Sequence, residues 1–356
     1  MEPTLSSTIF GHLPGGEPIE AWTLRGAGGL IVEAITYGAV VTRLLVPAPG
    51  SSHIDVVLGF DNLATYLEDR NYFGAVVGRV AGRITGASFQ LDGETYMLAA
   101  NESPNHLHGG VMGFNNRVWK ACPDSAPDGA PRLRFTYRSR DGEEGYPGEL
   151  RTVVTYTVTE ENVFLIETEA VADRPTPFNL TFHHYFNLAG EASGSIADHE
   201  LEIRSDEFVL TDERMTLLGR LAPVDGRIND FRSSRRLGDA IPLLPGNHGD
   251  LYRVREVGGA GSHLAPSRVA RLVHPRTKLA MDVLTTNTHL QLYTGAGLDG
   301  SVRGKSGVSY GCHAGVCLEC EGYPDGPNSP EMGDIILRPP HVRREITGYA
   351  FSSLLK

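Results

Sequence analysis

Two short stretches of this sequence carry side chains able to exchange protons, each in an alternating pattern. In "TFHHYFNLAG" (181–190) and the residues before it, Leu180, Phe182 and Phe186 alternate with Asn179, Thr181, His183, Tyr185 and Asn187. Successive strand residues point to opposite faces. A strand here therefore puts His183 on a polar face and His184 among apolar side chains, so His183 is the histidine free to do chemistry. In "GVCLECEG" (315–322), Val316, Leu318 and Cys320 share one face, while Cys317, Glu319 and Glu321 share the other. Burial together with a like charge raises a carboxyl pKa toward the range of a general base. The competing reading of this glutamate pair is a solvated face, where charged residues usually sit.

Other polar residues fall where a pocket would need them. "PNHLHGG" (104–110) ends in two glycines, which suits a loop whose backbone approaches a ligand closely, with His108 just before them. "THLQLYTG" (288–295) sets His289, Gln291 and Tyr293 on one strand face. "GNHGDLYR" (246–253) places Asp250 in a glycine-rich loop, where it also suits a turn. "GRVAGRITG" (78–86) offers Arg79 and Arg83 among glycines, equally readable as surface charges. Together these residues describe a groove of Arg, His, Gln, Asp, Tyr and Glu, which fits a polyhydroxylated ligand.

Neither the phosphate-binding GxxxxGK[ST] loop nor the HExxH zinc motif occurs, and the clustered glycines of "RGAGGLIVEA" lack the GxGxxG spacing and the helix of a dinucleotide site. "CHAGVCLEC" (312–320) has a zinc-like composition, but strand alternation sends Cys317 and Cys320 to opposite faces. Zinc needs its ligands to converge, so these cysteines read as structural, and neither a metal nor another cofactor is expected.

The elements that must hold these residues are strands. "GLIVEAITYGAVVTRLLVP" (29–47) reads as two strands broken at Gly38, and "ASFQLDGETYML" (87–98) as a hairpin turning at Asp92-Gly93. Alternating segments continue through "LRFTYRSR", "ELRTVVTYTVTE", "NVFLIETEAVA", "HELEIRS", "SRVARLVHP", "KLAMDVLTT" and "REITGYAFSS". Helical periodicity is nearly confined to "DNLATYLED" (61–69). The 42 glycines and 22 prolines supply the turns such a chain requires. The expected fold is all-β, a large antiparallel sandwich with few short helices. "REVGGAGSHLAPSR" (255–268) is the one linker-like stretch, and strands of the same character flank it, so it reads as a surface loop within one domain spanning 1–356.

Composition narrows the partners. The net charge is −11 and no Lys/Arg run occurs, which argues against nucleic acid and anionic membranes. No segment approaches the roughly 18 apolar residues of a membrane span, and the N-terminal stretch does not read as a signal peptide. Four cysteines in 356 residues make no disulfide framework, so a cytoplasmic location is expected. The expected partner is a small molecule, with the chain a monomer or homodimer.

The blocks "GRVAGRITGASFQLDGETYML", "PNHLHGGVMGFNNRVW", "TPFNLTFHHYFNLAG", "HLQLYTG" and "VCLECEGYPDGPN", running in this order from Gly78 to Asn328, resemble the motif blocks of the aldose 1-epimerases, or galactose mutarotases. The resemblance implies a β-sandwich with a sugar groove and interconversion of the α and β anomers of a free aldohexose such as galactose or glucose. It implies that Glu319 takes the proton of the anomeric hydroxyl while His183 protonates the ring oxygen. The ring opens, the C1–C2 bond rotates, and the ring recloses from the other side. The resemblance further implies sugar contacts at Arg83, His108, Asp250 and Gln291, with Tyr185 lining the groove.

Departures from the family pattern stand beside these matches. Gly82 replaces the usual Asn, Cys320-Glu321 replaces Thr-Gln, and Phe182 and His184 replace the Asn and Ser that flank the acid. They motivate a second reading, the same acid–base pair acting on a modified sugar or a non-sugar hemiacetal. A third is a sugar-binding protein without catalysis.

Overall fold

The computed structural model of the protein describes residues 2–49, 51–244, 249–254 and 265–354. Three antiparallel sheets carry most of it. The first, five-stranded, runs in sequence order through Thr4–His12, Pro18–Arg25, Ile31–Ile35, Val41–Ala48 and Ser51–Asp55. The second has nine strands and centres on Leu150–Val158, Val163–Ala172, Arg343–Ser353 and Leu279–Thr285. The third, again five-stranded, lies in the order Leu217–Pro223, Glu207–Thr211, Leu251–Arg253, His289–Tyr293 and Cys317–Glu321. Among the described residues no helix is long and apolar enough to cross a membrane.

One core joins the three sheets. Val32 and Leu44 of the first, Val154 and Phe164 of the second, and Leu290 and Leu318 of the third belong to the same buried cluster. Alternation along the strands produces this. In Cys317–Glu321, Leu318 and Cys320 face the large core, while Cys317 turns to a separate cluster containing Tyr185 and Phe73.

The expected strands and turns are present. The hairpin pairs Ser88–Leu91 with Glu94–Met97, and Asp92 and Gly93 take φ of 52° and 89°, the left-handed pair that a tight two-residue turn needs. The 29–47 segment breaks at Gly38 into Ile31–Ile35 and Val41–Ala48. The helix Leu63–Glu68 is capped by the Asn62 side chain, which accepts from the Thr65 amide at 3.0 Å. Residues 255–264 of the linker-like stretch lie outside the described residues, and Ser267–His274 follows as a strand.

One element is shorter than its alternation implies. Around the histidine pair only Thr181–Phe182 forms a strand, pairing with Val76–Val77. The His184 amide then donates to the Phe182 carbonyl at 2.9 Å, a tight local bond that bends the chain out of the ladder at His183. Inward and outward sides survive the bend.

Candidate active site

Glu319 is the middle residue of Cys317–Glu321, with Gln291 directly opposite it on His289–Tyr293 and Leu251 opposite Gln291. Cross-strand partners point to the same face, so these three side chains form a row along the floor of one cavity. His183 enters from the side. Its amide donates to the Ala75 carbonyl at 3.0 Å and its carbonyl accepts from Gly74 at 2.9 Å, which fixes the backbone beneath the imidazole. His183 Nε2 and Glu319 Oε2 are 3.8 Å apart, with side chains 5% and 3% exposed. That separation allows an ion pair but exceeds a hydrogen bond, so each group can turn toward a ligand between them.

His184 takes the opposite fate, as the alternation requires. It packs against Phe182, Phe186 and Tyr349, and neither ring nitrogen has a hydrogen-bond partner among the described residues. Burial, and then the neighbouring His183, push its pKa down to about 3.

The cavity holds about 200 Å³ and is lined by His183, Glu319, Arg83, His108, Tyr185, Gln291 and eleven further residues. It is smaller than the roughly 300–1,000 Å³ of drug-sized ligand pockets, which suits one small molecule. His108 belongs to the glycine-rich loop foreseen from the sequence. The next residue, Gly109, has φ of +80°, and a Cβ there would lie 1.9 Å from the Gly78 carbonyl oxygen, so only glycine allows this approach. The Gly82 amide donates to His108 Nδ1 at 3.2 Å. Burial, with His183 and Arg83 adding to it, holds the His108 pKa well below the usual value, so the ring is neutral. With Nδ1 accepting, its proton sits on Nε2, and the ring offers a donor.

Arg83 donates from Nε and Nη2 to the two carboxylate oxygens of Glu102, at 2.5 and 2.7 Å, so its guanidinium is clamped at the cavity wall. Arg79, four residues earlier, turns away into a buried nest of acceptors that includes Pro147, Gly148 and Ser139. Tyr185 is buried at the cavity edge between Phe73 and Tyr293.

Asp250 is the site candidate that the structure does not bring to the cavity lining. Leu251 takes the inward position, and strand alternation turns the preceding residue aside. The Asp250 carboxylate accepts from Asn229 Nδ2 at 2.9 Å, and its backbone carbonyl accepts from Leu292 at 3.0 Å.

Sequence reasoning missed Tyr72, whose ring stacks on that of His183 at 5.7 Å and meets His108 edge-on at 4.9 Å. It also missed the clamp Glu102. The only local sign of the first was an aromatic residue in the polar loop after the short helix.

Burial pushes the Glu319 carboxyl up to about 8, against a downward pull from Arg83. Glu321, also lining the cavity, is raised well above the ordinary range by burial and then by Glu319. The cysteine-rich stretch does not converge on a metal: Cys312 is exposed, while Cys317 and Cys320 face different clusters. Cys317 Sγ instead lies 3.6 Å from His183 Nδ1. His108, His183 and Glu319 come within ion-binding distance of one another. The bond from Gly82 leaves His108 presenting an N–H rather than a lone pair, which does not fit a ligand set.

The site is thus a small polar cavity with a carboxylate and an imidazole facing each other, the equipment of an acid–base isomerase on a β-sandwich. Residues 20–350 match the family model described as aldose 1-epimerase. The chain is 40% identical to the galactose mutarotase of Homo sapiens over 350 residues, covering 98% of this chain and 99% of that protein. It is 33% identical to the aldose 1-epimerase of Escherichia coli strain K12 over 347 residues, covering 95% and 96%. The galactose 1-epimerase structure from Lactobacillus acidophilus superposes with a TM-score of 0.84 at 25% identity, covering 99% of both chains. The GalM/aldose epimerase homologue from C. elegans gives 0.83 at 29%, covering 92% and 96%. The chain belongs to the aldose 1-epimerase family and is an enzyme of the isomerase class.

Proposed function

We propose that this protein interconverts the α and β anomers of free aldohexoses, galactose and glucose among them, with Glu319 as base and His183 as acid. The observation that carries this is the His183–Glu319 pair, 3.8 Å apart at the buried end of a sugar-sized cavity. Glu319 takes the proton from the anomeric hydroxyl as His183 gives one to the ring oxygen, and the C1–O5 bond breaks to leave the open-chain aldehyde. Rotation about C1–C2 presents the other face of the carbonyl. Glu319 then returns its proton to the new hydroxyl while His183 recovers its own from the attacking oxygen. The pair holds one proton in each resting state, so the cycle is balanced and runs in both directions. A carboxyl with a pKa near the working pH is a stronger base than an ordinary glutamate, which is what burial of Glu319 supplies.

Arg83, His108 and Gln291 hold the ring hydroxyls and Tyr185 packs beside the sugar; Asp250 stands one residue from the lining, its carboxylate held by Asn229. The protein works as one domain, a monomer or homodimer. Four unpaired cysteines accord with a reducing cytoplasm. Polarimetry on freshly dissolved α-D-galactose and α-D-glucose tests the reading. The protein should speed the approach to the equilibrium rotation, and Glu319→Gln should lose about 100-fold or more of that acceleration. A folded wild type that speeds neither sugar contradicts it.

A further inference from the structure

The reaction uses one carboxylate, and the cavity contains a second. Glu321 follows Glu319 by two residues, lines the same cavity and is 2% exposed. Its Oε2 is buried with no hydrogen-bond partner among the described residues. Burying an unpaired carboxyl is costly, and such a group persists where a ligand completes it. Arg83, whose field reaches Glu321, is already held by both oxygens of Glu102.

Gly82 lies beside this carboxylate and carries no side chain. Its φ is +73°, and a Cβ there would lie 2.4 Å from Pro324 Cγ and 3.5 Å from Glu321 Oε1. Any side chain at that position would be strained and would crowd the corner, so none shields Glu321 from the cavity.

We propose that Glu321 is a specificity-determining residue that receives the ammonium group of an aminohexose, so that the enzyme prefers amino-sugar aldoses to their hydroxyl counterparts. This rests on the mutarotase reading of the cavity. Strand residues advance about 3.3 Å each, so Glu319 and Glu321 are rooted roughly 6.6 Å apart. A pyranose whose anomeric hydroxyl meets Glu319 extends its C2 or C3 substituent along that line. A hydroxyl there makes a neutral hydrogen bond with the protonated acid. An ammonium brings up to three donors and a compensating positive charge to a corner whose nearby guanidinium is committed elsewhere, and it draws Glu321 into its ionised form. Charge-assisted bonds are roughly twice as strong as neutral ones. Neutral hexoses therefore remain substrates while 2- or 3-amino hexoses are favoured.

The test is polarimetry at pH 6.5, where the amines are protonated, on D-glucosamine, D-galactosamine and 3-amino-3-deoxy-D-glucose beside D-glucose and D-galactose. In Glu321→Gln, the ratio of kcat/KM for amino over neutral sugar should fall about tenfold for at least one amino sugar. The isosteric amide keeps hydrogen bonding and removes only the charge, so a structural role would lower both activities and leave the ratio alone. A ratio unchanged for all three overturns the proposal.

Calorimetry on the wild type decides independently of the variant and of turnover. The 2-amino or 3-amino derivative of 1,5-anhydro-D-glucitol should bind about tenfold more tightly than the parent. Equal or weaker binding by both derivatives overturns the proposal. Failure of the wild type to act on any sugar would instead count against the mutarotase reading, leaving calorimetry to judge the carboxylate–ammonium contact.

Discussion

Replacing His184 with leucine should stabilise the protein, and more so in acid. His184 is 1% exposed, sits among Phe182, Phe186 and Tyr349, and has two ring nitrogens without partners. Burying an unsatisfied polar group costs about 1–3 kcal/mol, and leucine is apolar with a similar volume. At pH 7 the variant should gain part of that amount. The pH dependence is sharper. The folded pKa is about 3 and the unfolded value about 6.5. A histidine with a depressed folded pKa supports the native state above its unfolded pKa, and that support is lost as pH falls from about 6.5 toward 3. At pH 5 the loss is about 1.5 pKa units at 1.36 kcal/mol each, or about 2 kcal/mol. His199 and His289 are depressed similarly, but both remain in the two proteins, so the difference isolates His184. Urea unfolding of wild type and variant at pH 7 and pH 5 measures it. The variant's advantage should grow by about 2 kcal/mol at pH 5, with anomer exchange kept within a few-fold because His184 faces away from the cavity. An advantage equal at both pH values, or a variant less stable at both, would refute the reasoning.

Two further outcomes follow from the site. With the Glu319 pKa raised to about 8, a base that must be deprotonated makes kcat/KM climb with pH, nearly tenfold per unit, on the acid side of that value; a profile flat from pH 6 to 8 would contradict the assignment. Glu102→Ala removes the clamp on Arg83 from a side chain that is 39% exposed, so stability should change by no more than about 1 kcal/mol while KM for the hexose rises several-fold with kcat little altered; an unchanged KM would mean that Arg83 does not hold the sugar.

The His183–Glu319 pair and the architecture were legible because they rest on local rules. Alternation separated His183 from His184 and put Glu319 on the face opposite Leu318, and the Asp92-Gly93 turn set its hairpin. Gln291 was placed on the correct face of its strand, although its register against Glu319 is a long-range pairing that alternation alone does not specify. Where side chains act across the fold, the sequence was silent. Arg79 and Arg83 looked alike among their glycines, yet the first is drawn into buried carbonyls and the second toward Glu102. Tyr72 reaches His183 across more than a hundred residues of chain. Asp250 shows the converse, since a glycine-rich loop suggested exposure to ligand while Asn229 holds its carboxylate. The strand at 181–190 is cut short by the local bond between His184 and Phe182, which periodicity does not reveal.

The central claim is that Glu319 and His183 work as one unit sharing a proton. Polarimetric rates with D-galactose for Glu319→Gln, His183→Asn and the double variant test it most directly. Each single change should cost about 100- to 10,000-fold, and the double variant should be little slower than the worse single, because losing either partner already disables the transfer. Losses that multiply, or a single variant retaining near wild-type exchange, would show that the two residues do not act together.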